Sequence, residues 1–158
     1  MGSIMRNLYV IDTNAVISFF DGVFRYSNKY NKLQPLSNNV MINIKEALFS
    51  RETSIRLSIP TVVFIEIYEK WLMSEEFCRR FFYEVFQPIT QSPNIEIRPI
   101  DREVLENLLE IGGTMEEHDL HDRLILASAM ALNAPLITTD RTIIRYIRNT
   151  KIVPSAYN

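Results

Sequence analysis

The strongest constraint on the fold is an apolar run that stops abruptly at polar residues. Residues 8–11 read LYVI, and Asp12, Thr13 and Asn14 follow without a spacer. A strand that is apolar at every position, and not only at alternate ones, is buried on both faces, as in a parallel sheet. Such sheets bind ligands in the crevice at the carboxyl ends of their strands. The sequence therefore predicts an α/β fold with Asp12 at the functional edge of the sheet.

Beyond this run the chain alternates between segments with helical periodicity and short strands. The predicted strands are 7–11, 56–59, 95–97, 135–138 and 152–153. The predicted helices are 14–20, 41–49, 61–73, 74–86, 101–111, 120–132 and 140–148, and we expect Thr61 and Ser74 to be N-caps. Strands that alternate with helices form βαβ units. We therefore expect a Rossmann-like three-layer sandwich, with a central, mostly parallel sheet of four to five strands flanked by helices.

The length of 158 residues suits one domain with a core of its own. We expect this domain to span residues 4–158, after a cloning scar at 1–3 and with a loop insertion at 23–39. The single cysteine, Cys78, excludes an internal disulfide, and no apolar run approaches the roughly 20 residues that cross a bilayer. These features predict a cytoplasmic protein. The net charge of −2 excludes nucleic-acid binding by the whole surface, so a local basic patch or bound cations would be needed.

Four acids stand out by their positions. Asp12 ends the first strand, Glu66 shares an apolar stripe of its helix, Asp122 begins a helix, and Asp140 directly follows a strand. Each has an ordinary explanation, because Asp12 and Asp140 can cap helices, Glu66 can pair with Lys70 one turn later, and Asp122 can pair with a surface base. Strand ends and helix starts of this kind nevertheless converge above one edge of a parallel sheet.

Carboxylates that crowd together repel one another and raise each other's pKa values unless a cation lies among them. A set of oxygen ligands without thiols or several imidazoles favours Mg²⁺ or Mn²⁺ over zinc. Such an ion can activate water and stabilise the departing oxygen of a phosphodiester. The four acids together therefore predict metal-assisted phosphodiester hydrolysis.

The chain resembles the PIN domain, and most of all the VapC-type toxins of bacterial and archaeal toxin–antitoxin pairs. The resemblance rests on the segments 12–14 (DTN), the helix around Glu66, 121–125 (HDRLI) with 127–129 (ASA), and 136–140 (LITTD). It implies a Mg²⁺- or Mn²⁺-dependent ribonuclease that leaves a 5′-phosphate and a 3′-hydroxyl, with RNA as substrate and an antitoxin protein as partner. The acidic quartet that it implies is Asp12, Glu66, Asp122 and Asp140, with Asn14 and Thr139 as polar support.

The chain departs from compact VapC toxins in two places. The interval between Asp12 and Glu66 is longer, and residues 23–39 are the expected insertion. The residues after Glu66 (68–71, YEKW) are larger than those often found there. Both departures concern the subfamily more than the chemistry.

Asp119, His118 and His121 surround Asp122 in the sequence. Asp119 is either a fifth, outer acid of the site or a solvated residue at the start of its helix. The two histidines have the Hx2H spacing of some zinc ligands. The chain has no other histidine and only one distant cysteine, so we expect His121 to support the site or cap the helix.

Arg141, Arg145 and Arg148 recur at helical spacing on the last predicted helix. They are either the solvated face of that helix or a basic stripe that follows substrate phosphates beside the metal. The second interpretation supplies the local patch that the net charge does not provide.

A stretch rich in aromatic residues follows Glu66. It comprises Tyr68, Trp71, Phe77, Phe81, Phe82 and Phe86. Most of these side chains are expected in the core, but the apolar stripe is wider than one packed face needs. Part of it is therefore a candidate contact with a second copy, giving a homodimer, or with an antitoxin segment.

Three other functions compete with the nuclease. A receiver-like Mg²⁺-binding phosphoacceptor also places acids at strand ends, but it does not explain Glu66 or the pair at residues 139–140. A phosphotransferase of the haloacid dehalogenase type needs an acid two residues after Asp12, where this chain has Asn14. A catalytically idle PIN fold that binds RNA or protein as a scaffold differs from the nuclease only in turnover.

Overall fold

The computed structural model describes residues 7–25, 34–71, 74–115 and 118–158. Its centre is a five-stranded sheet in which every pair of neighbours is parallel, in the order β3-β2-β1-β4-β5. The strands are β1 (Asn7–Ile11), β2 (Ile55–Pro60), β3 (Ile95–Arg98), β4 (Leu136–Ile137) and β5 (Ala156–Tyr157). Helices flank the sheet, so the predicted Rossmann-like α/β fold is confirmed.

The α-helices of the described segments lie between or after these strands. They are α1 (Thr13–Phe19), α2 (Asp21–Phe24), α3 (Asn38–Phe49), α4 (Thr61–Trp71), α5 (Glu75–Phe81), α6 (Gln87–Gln91), α7 (Arg102–Ile111), α8 (Leu120–Leu132) and α9 (Arg141–Thr150). A π-helix at Phe82–Phe86 joins α5 to α6, and a 3-10 helix at Gly112–Met115 follows α7. None of these helices is long and apolar enough to cross a bilayer.

The core lies where the central strands meet α8. Val10 and Ile11 of β1 and Leu136 and Ile137 of β4 are buried, as an apolar run in a central parallel strand requires. Helix α8 packs on β1 through its small and aliphatic residues, and it also contacts α4 and α7. The sheet and α8 therefore fix the positions of the polar residues that follow β1 and β4.

Short polar side chains begin most of the long helices. The side chains of Asp12, Ser37, Ser74, Asp101, Asp119 and Asp140 accept hydrogen bonds from amides in the first turns of α1, α3, α5, α7, α8 and α9. The predicted cap at Ser74 is confirmed. The predicted cap at Thr61 is wrong, because its hydroxyl donates to the carbonyl oxygen of Arg98 at 2.8 Å and ties α4 to β3 instead.

The last strand is not where the sequence predicted it. Residues 152–153 form a bend, and β5 begins at Ala156 and pairs with Leu136. Pro154 restricts the residue before it and has no amide to donate, so the chain turns there before it joins the sheet. Val153 is buried without being in a strand. Its apolar character led to the wrong prediction of a strand, because an apolar residue can be buried in a bend as well.

The segment predicted as a loop, 23–39, is partly helical in the described residues. Its start belongs to α2 (Asp21–Phe24), although Gly22 was expected to end the preceding helix. The Phe24 ring is fully buried against the ring of Trp71 at 5.1 Å, so packing overrides the weak helix propensity of glycine. Its end, at residues 38–39, opens α3. Residues 26–33 and the scar predicted at 1–3 lie outside the described residues.

The aromatic stretch divides between the core and the surface. Phe77 and Phe81 are buried, and both contact the ring of Phe24. Tyr68 and Phe82 are 44% and 47% exposed, and Tyr83 beside them is 59% exposed. The core assignment therefore applies to only part of the stretch.

Candidate metal centre

Four carboxylates that are far apart in the sequence line one cavity of about 190 Å³. They are Asp12, Glu66, Asp122 and Asp140, and Thr13, Asn14, Lys70, Asp119 and Ile143 complete the lining. The cavity lies at the carboxyl ends of β1 and β4, which are adjacent and parallel. The structure thus brings the predicted quartet together at the predicted edge of the sheet.

Asp12 is held at the end of β1 by the adjacent strand β4 and by the first turn of α1. Its amide donates to the carbonyl oxygen of Ile137 in β4 at 3.1 Å, and one carboxylate oxygen accepts from the amide of Ala15 at 2.8 Å. The side chain is 4% exposed. Burial raises the pKa of Asp12 to about 7, and Asp122 and Asp140 add to the rise, while hydrogen bonds from Thr138 and Ala15 oppose it.

Asp122 and Asp119 share the first turn of α8. Asp119 caps the helix by accepting from the amide of Asp122 at 3.0 Å. Burial, then the charges of Asp119 and Glu66, raise the pKa of Asp122 to about 6. Burial also acts to raise the pKa of Asp119, but the amide of Asp122 and the side chains of His121 and Lys70 outweigh it and lower that pKa. Asp119 is therefore both an outer acid of the cavity and a helix cap.

Asp140 is oriented by the helix that it opens and by His118. One carboxylate oxygen accepts from the amides of Thr142 and Ile143 at 2.8 and 3.2 Å. The other lies 3.3 Å from Nε2 of His118, whose side chain is 7% exposed. Donor atoms of His118, Asp122 and Asp140 all lie within 4.8 Å of one another. These three side chains could therefore surround one small cation.

Glu66 is buried in α4 and pairs with Lys70 one turn later. The Nζ of Lys70 lies 2.7 Å from a carboxylate oxygen of Glu66. This hydrogen bond is the main cause of a raised pKa of Lys70, which therefore stays protonated. Glu66 therefore forms the expected ion pair with Lys70 and also lines the acidic cavity.

The two histidines of the Hx2H spacing do not share a metal-ligand group in the described residues. His118 belongs with Asp122 and Asp140, whereas His121 belongs with Glu66 and Asp119. The Nε2 of His121 lies 3.5 Å from Glu69. The Nδ1 of His121 lies 3.6 Å from a carboxylate oxygen of Asp119, and Asp119, not His121, caps α8.

The polar support differs in one place from the expectation. Asn14 is exposed and lines the cavity, as predicted. Thr139 is half-buried and does not line it, and the hydroxyl that contacts Asp12 belongs to Thr138. Thr138 also accepts from the amide of Asp140 at 3.1 Å. The alternation of side chains at a strand end was the signal that could have distinguished the two threonines.

Thr13 is a further residue that the sequence did not assign to the site. Its hydroxyl oxygen is buried with no hydrogen-bond partner, and the residue lines the cavity. A buried polar atom of this kind is costly unless something satisfies it. A cation or a water molecule held by the carboxylates would do so.

Arg141, Arg145 and Arg148 are all exposed on α9, whose buried face contains Ile143 and Ile147. None of the three arginines lines the cavity. They form a basic stripe on the helix that Asp140 begins, so they lie outside the candidate centre but on an element attached to it.

A larger cleft of about 600 Å³ lies beside the starts of β2 and β3. Its charged side chains are engaged within the protein, since Arg56 donates to Asn94, Glu96 accepts from Ser58 and Arg98 pairs with Asp101. It contains no group of carboxylates, and the acidic cavity is the better candidate centre despite its smaller size.

The family of the chain follows from its sequence. The family model of the PIN domain matches residues 9–149. The chain belongs to the PIN domain family. PIN domains are generally nucleases that use divalent metal ions, and the acidic cavity of this PIN domain lies at the carboxyl ends of β1 and β4.

Solved structures with this PIN fold include three complexes. VapBC2 from Rickettsia felis, bound to a DNA fragment from their promoter, aligns with a TM-score of 0.57 and 15% identity over 92% of this chain and 95% of that chain. FitAcB from Neisseria gonorrhoeae aligns with a TM-score of 0.54 and 16% identity over 95% of this chain and 96% of that chain. FitAB bound to the IR36 DNA fragment aligns with a TM-score of 0.55 and 16% identity over 95% of this chain and 93% of that chain. Comparison with curated proteins gave no significant match.

Proposed function

We propose that this PIN domain is a Mg²⁺- or Mn²⁺-dependent endoribonuclease. One observation carries the proposal: carboxylates from four separate elements line a single small cavity at the ligand-binding edge of the sheet. Structural ion pairs do not account for it, because Lys70 is the one cation in the described lining of the cavity.

The residues present fit a divalent cation of the hard class. The cavity offers carboxylate oxygens and the unpartnered hydroxyl of Thr13, which are the donors that Mg²⁺ and Mn²⁺ take in proteins. Burial, and then the neighbouring carboxylates, raise the pKa values of Asp12 and Asp122, so a positive charge among them would favour their ionised forms. We assign Asp12, Asp122 and Asp140 as ligands, and Glu66 as a ligand or as the residue that orients the attacking water.

The neighbouring residues keep these carboxylates in place. Thr138 and the amide of Ala15 orient Asp12, and His118 and the first turn of α9 orient Asp140. When bound, the ion supplies the positive charge that favours ionisation of water and stabilises the departing oxygen. The carboxylates would thus need little rearrangement before reaction, which is how a preorganised site lowers a barrier.

The first prediction concerns cleavage of RNA by the Asp12→Asn variant. We expect the wild-type protein to cleave structured RNA with Mn²⁺ and to lose this activity in EDTA. Asp12→Asn removes a central ligand while asparagine can still cap α1, so we expect the rate to fall at least about a hundredfold. The measurement is the initial rate of product formation on a labelled transcript.

Asp101→Asn is the matched control for this experiment. Asp101 caps α7 by accepting from the amide of Val104 at 3.0 Å, as Asp12 caps α1, but it does not line the cavity. We expect its rate to equal that of the wild type. Cleavage that survives both EDTA and Asp12→Asn would contradict the metal-dependent mechanism. Absence of any cleavage of varied RNAs would instead favour the idle scaffold.

We further propose that the protein is a VapC-type toxin, with an antitoxin protein as its partner and a homodimer as its assembly. The support is the resemblance of its motifs to that subfamily and the likeness of its fold to VapBC2 and FitAB over nearly the whole of each chain. The stripe of Arg141, Arg145 and Arg148 is proposed to bind RNA phosphates beside the cavity, in the cytoplasm.

A further inference from the structure

Lys70 occupies an unusual position among the residues of the candidate centre. It is the one cation among the described residues that line the cavity, which also contains five acids. Its Nζ lies 2.7 Å from Glu66, and its side chain is 52% exposed while that of Glu66 is 10% exposed. The ammonium group therefore lies at the mouth of the cavity, with the carboxylate on its inner side.

We propose that Lys70 is a substrate-binding residue of the nuclease, an inference that rests on the proposed function. In the free protein its ammonium group neutralises Glu66. When the carboxylates hold a divalent ion and RNA enters, the ammonium leaves Glu66 and binds a non-bridging oxygen of the phosphodiester. Lys70 remains protonated throughout and takes no part in proton transfer.

The balance of charge supports this exchange. An anionic phosphodiester that approaches five carboxylates is repelled, and the two charges of one divalent ion do not cancel five. Once the ion has neutralised part of this charge, the phosphate becomes a competitive partner for the ammonium. The side chain of Lys70 is half-exposed, so water can solvate its ammonium when the pair opens, while the buried carboxylate of Glu66 exchanges the ammonium for the divalent ion.

The chemistry of lysine also suits a group that moves between two partners. Its ammonium is a compact charge on a flexible four-carbon stem, and it binds phosphate without demanding a fixed bidentate geometry. Lys70 lies in the last turn of α4 next to the cavity mouth, where this stem can swing outward. Glu66 is released by the same movement and becomes available to the ion or to the attacking water.

A purely structural role for Lys70 predicts a different outcome. If Lys70 only neutralised Glu66, its removal would free a carboxylate, strengthen metal binding and leave cleavage intact at saturating metal. If it binds substrate, cleavage falls even when metal is saturating. The two roles are therefore separated by measuring metal binding and cleavage on the same variants.

The experiment compares Lys70→Met, Lys70→Arg and the control Lys45→Met. Lys45 is an exposed lysine of α3 that does not line the cavity. The kcat and KM for a labelled oligoribonucleotide are measured at saturating Mn²⁺ over a range of salt concentrations. Mn²⁺ affinity without RNA is measured by calorimetry, and thermal unfolding confirms that each variant folds. Lys70→Gln replaces Lys70→Met if the latter does not fold.

We expect Lys70→Met to lower kcat/KM about ten- to a hundredfold, the usual effect of losing a hydrogen bond to a charged group. Its kcat/KM should also depend less steeply on salt, by about 0.7 in the logarithmic slope for one lost contact with single-stranded RNA. Lys70→Arg should recover part of the loss, and Mn²⁺ should bind Lys70→Met at least as tightly as the wild type.

Two results would overturn the inference while leaving the nuclease assignment intact. One is a kcat/KM of Lys70→Met equal to that of Lys45→Met at saturating Mn²⁺. The other is a loss of Mn²⁺ affinity large enough to explain the lower rate, which would make Lys70 a support of the metal site. If the wild type and Lys45→Met both fail to cleave RNA, the proposed function itself fails, and the role of Lys70 falls with it.

Discussion

The carboxylate of Asp12 serves a helix and a cavity at the same time. One oxygen accepts from the amide of Ala15 and begins α1, yet the residue is also the most buried acid of the cavity. The amide of Ala15 and the hydroxyl of Thr138 are too few hydrogen-bond partners to offset the effect of burial, so the pKa of Asp12 rises to about 7. The free protein therefore keeps a carboxyl that is uncharged in mild acid where the unfolded chain carries a charge.

This difference predicts how the stability of the metal-free protein depends on pH. Between the ordinary pKa of 3.8 and the folded value of about 7, the folded protein binds more protons at Asp12 than the unfolded chain. The free energy of unfolding therefore decreases as the pH rises through this window, by about 1.4 kcal/mol for each unit of pKa difference. Asp12→Asn has no such proton to lose, so its stability should decrease less.

The measurement is urea unfolding of the wild type and Asp12→Asn in EDTA at pH 5, 6, 7 and 8. We expect the free energy of unfolding of Asp12→Asn to increase relative to that of the wild type at each higher pH. We also expect Mg²⁺ to restore the stability of the wild type at pH 8. Parallel curves for the two proteins would show that Asp12 is already ionised at pH 5. Comparing the two proteins cancels the titration of the groups that do not interact with Asp12.

The sequence predicted Asp12, Glu66, Asp122 and Asp140 because each lies at an element boundary or in an apolar stripe that local patterns reveal. It did not distinguish Thr138, which contacts Asp12, from Thr139, although the alternation of side chains at a strand end separates the two. Nor could it reveal Thr13, since an unpartnered hydroxyl is a property of the surrounding structure. Local signals therefore located the charges, and three-dimensional packing located their support.

At the scale of elements, the path from α5 to α6 shows how a helix can follow its core. Phe77, Phe81, Val85 and Ile89 are buried and recur every four residues. A straight α-helix has 3.6 residues per turn, so side chains four residues apart shift progressively around its axis and would leave the core. The π-helix at Phe82–Phe86 has a wider turn and brings the row back. The sequence showed the width of the apolar stripe, but not that the backbone would adjust to it.

Helix α9 carries the prediction that belongs to this scale. Arg141 and Arg145 project from its exposed face, opposite Ile143 and Ile147. If they bind phosphates, Arg141→Ala with Arg145→Ala should weaken RNA binding and reduce the logarithmic salt slope by about 1.4 for single-stranded RNA. Binding is measured by fluorescence anisotropy in EDTA, which prevents metal-dependent cleavage.

The control for α9 removes two exposed arginines from other elements. Arg51→Ala with Arg102→Ala changes the net charge by the same amount, on the loop after α3 and at the start of α7. We expect this variant to bind RNA nearly as tightly as the wild type. Equal losses in both double variants would mean that net charge, and not the stripe on α9, determines binding. Mn²⁺ affinity should be unchanged in both.

At the scale of the whole molecule, the chain matches the extent of its structural relatives. The alignments cover more than nine-tenths of this chain and of VapBC2, FitAcB and FitAB. A net charge of −2 gives the molecule little general affinity for nucleic acid, so the proposed binding of RNA depends on the local stripe and on the cavity. Exposed aromatic side chains such as Tyr68 and Tyr83 also leave apolar surface available to a protein partner.

The toxin proposal predicts a partner protein encoded beside this chain. We expect a small co-transcribed neighbouring gene whose product co-purifies with the protein and inhibits its cleavage of RNA. The measurement is co-expression of the two genes, followed by affinity purification and a cleavage assay of the complex and of the free protein. If the protein cleaves RNA but no such neighbouring gene exists, the toxin proposal is contradicted and the nuclease proposal is not.

The order of the strands has a consequence for the synthesis of this protein. Strand β4 enters the sheet between β1 and β5, and Asp140 follows it after two threonines. Asp12 and Glu66 therefore leave the ribosome long before Asp140 does, and no nascent chain that stops short of β4 contains a complete set of ligands. Under the proposed function, a nascent chain that ends before β4 lacks the carboxylate of Asp140 and should not cleave RNA.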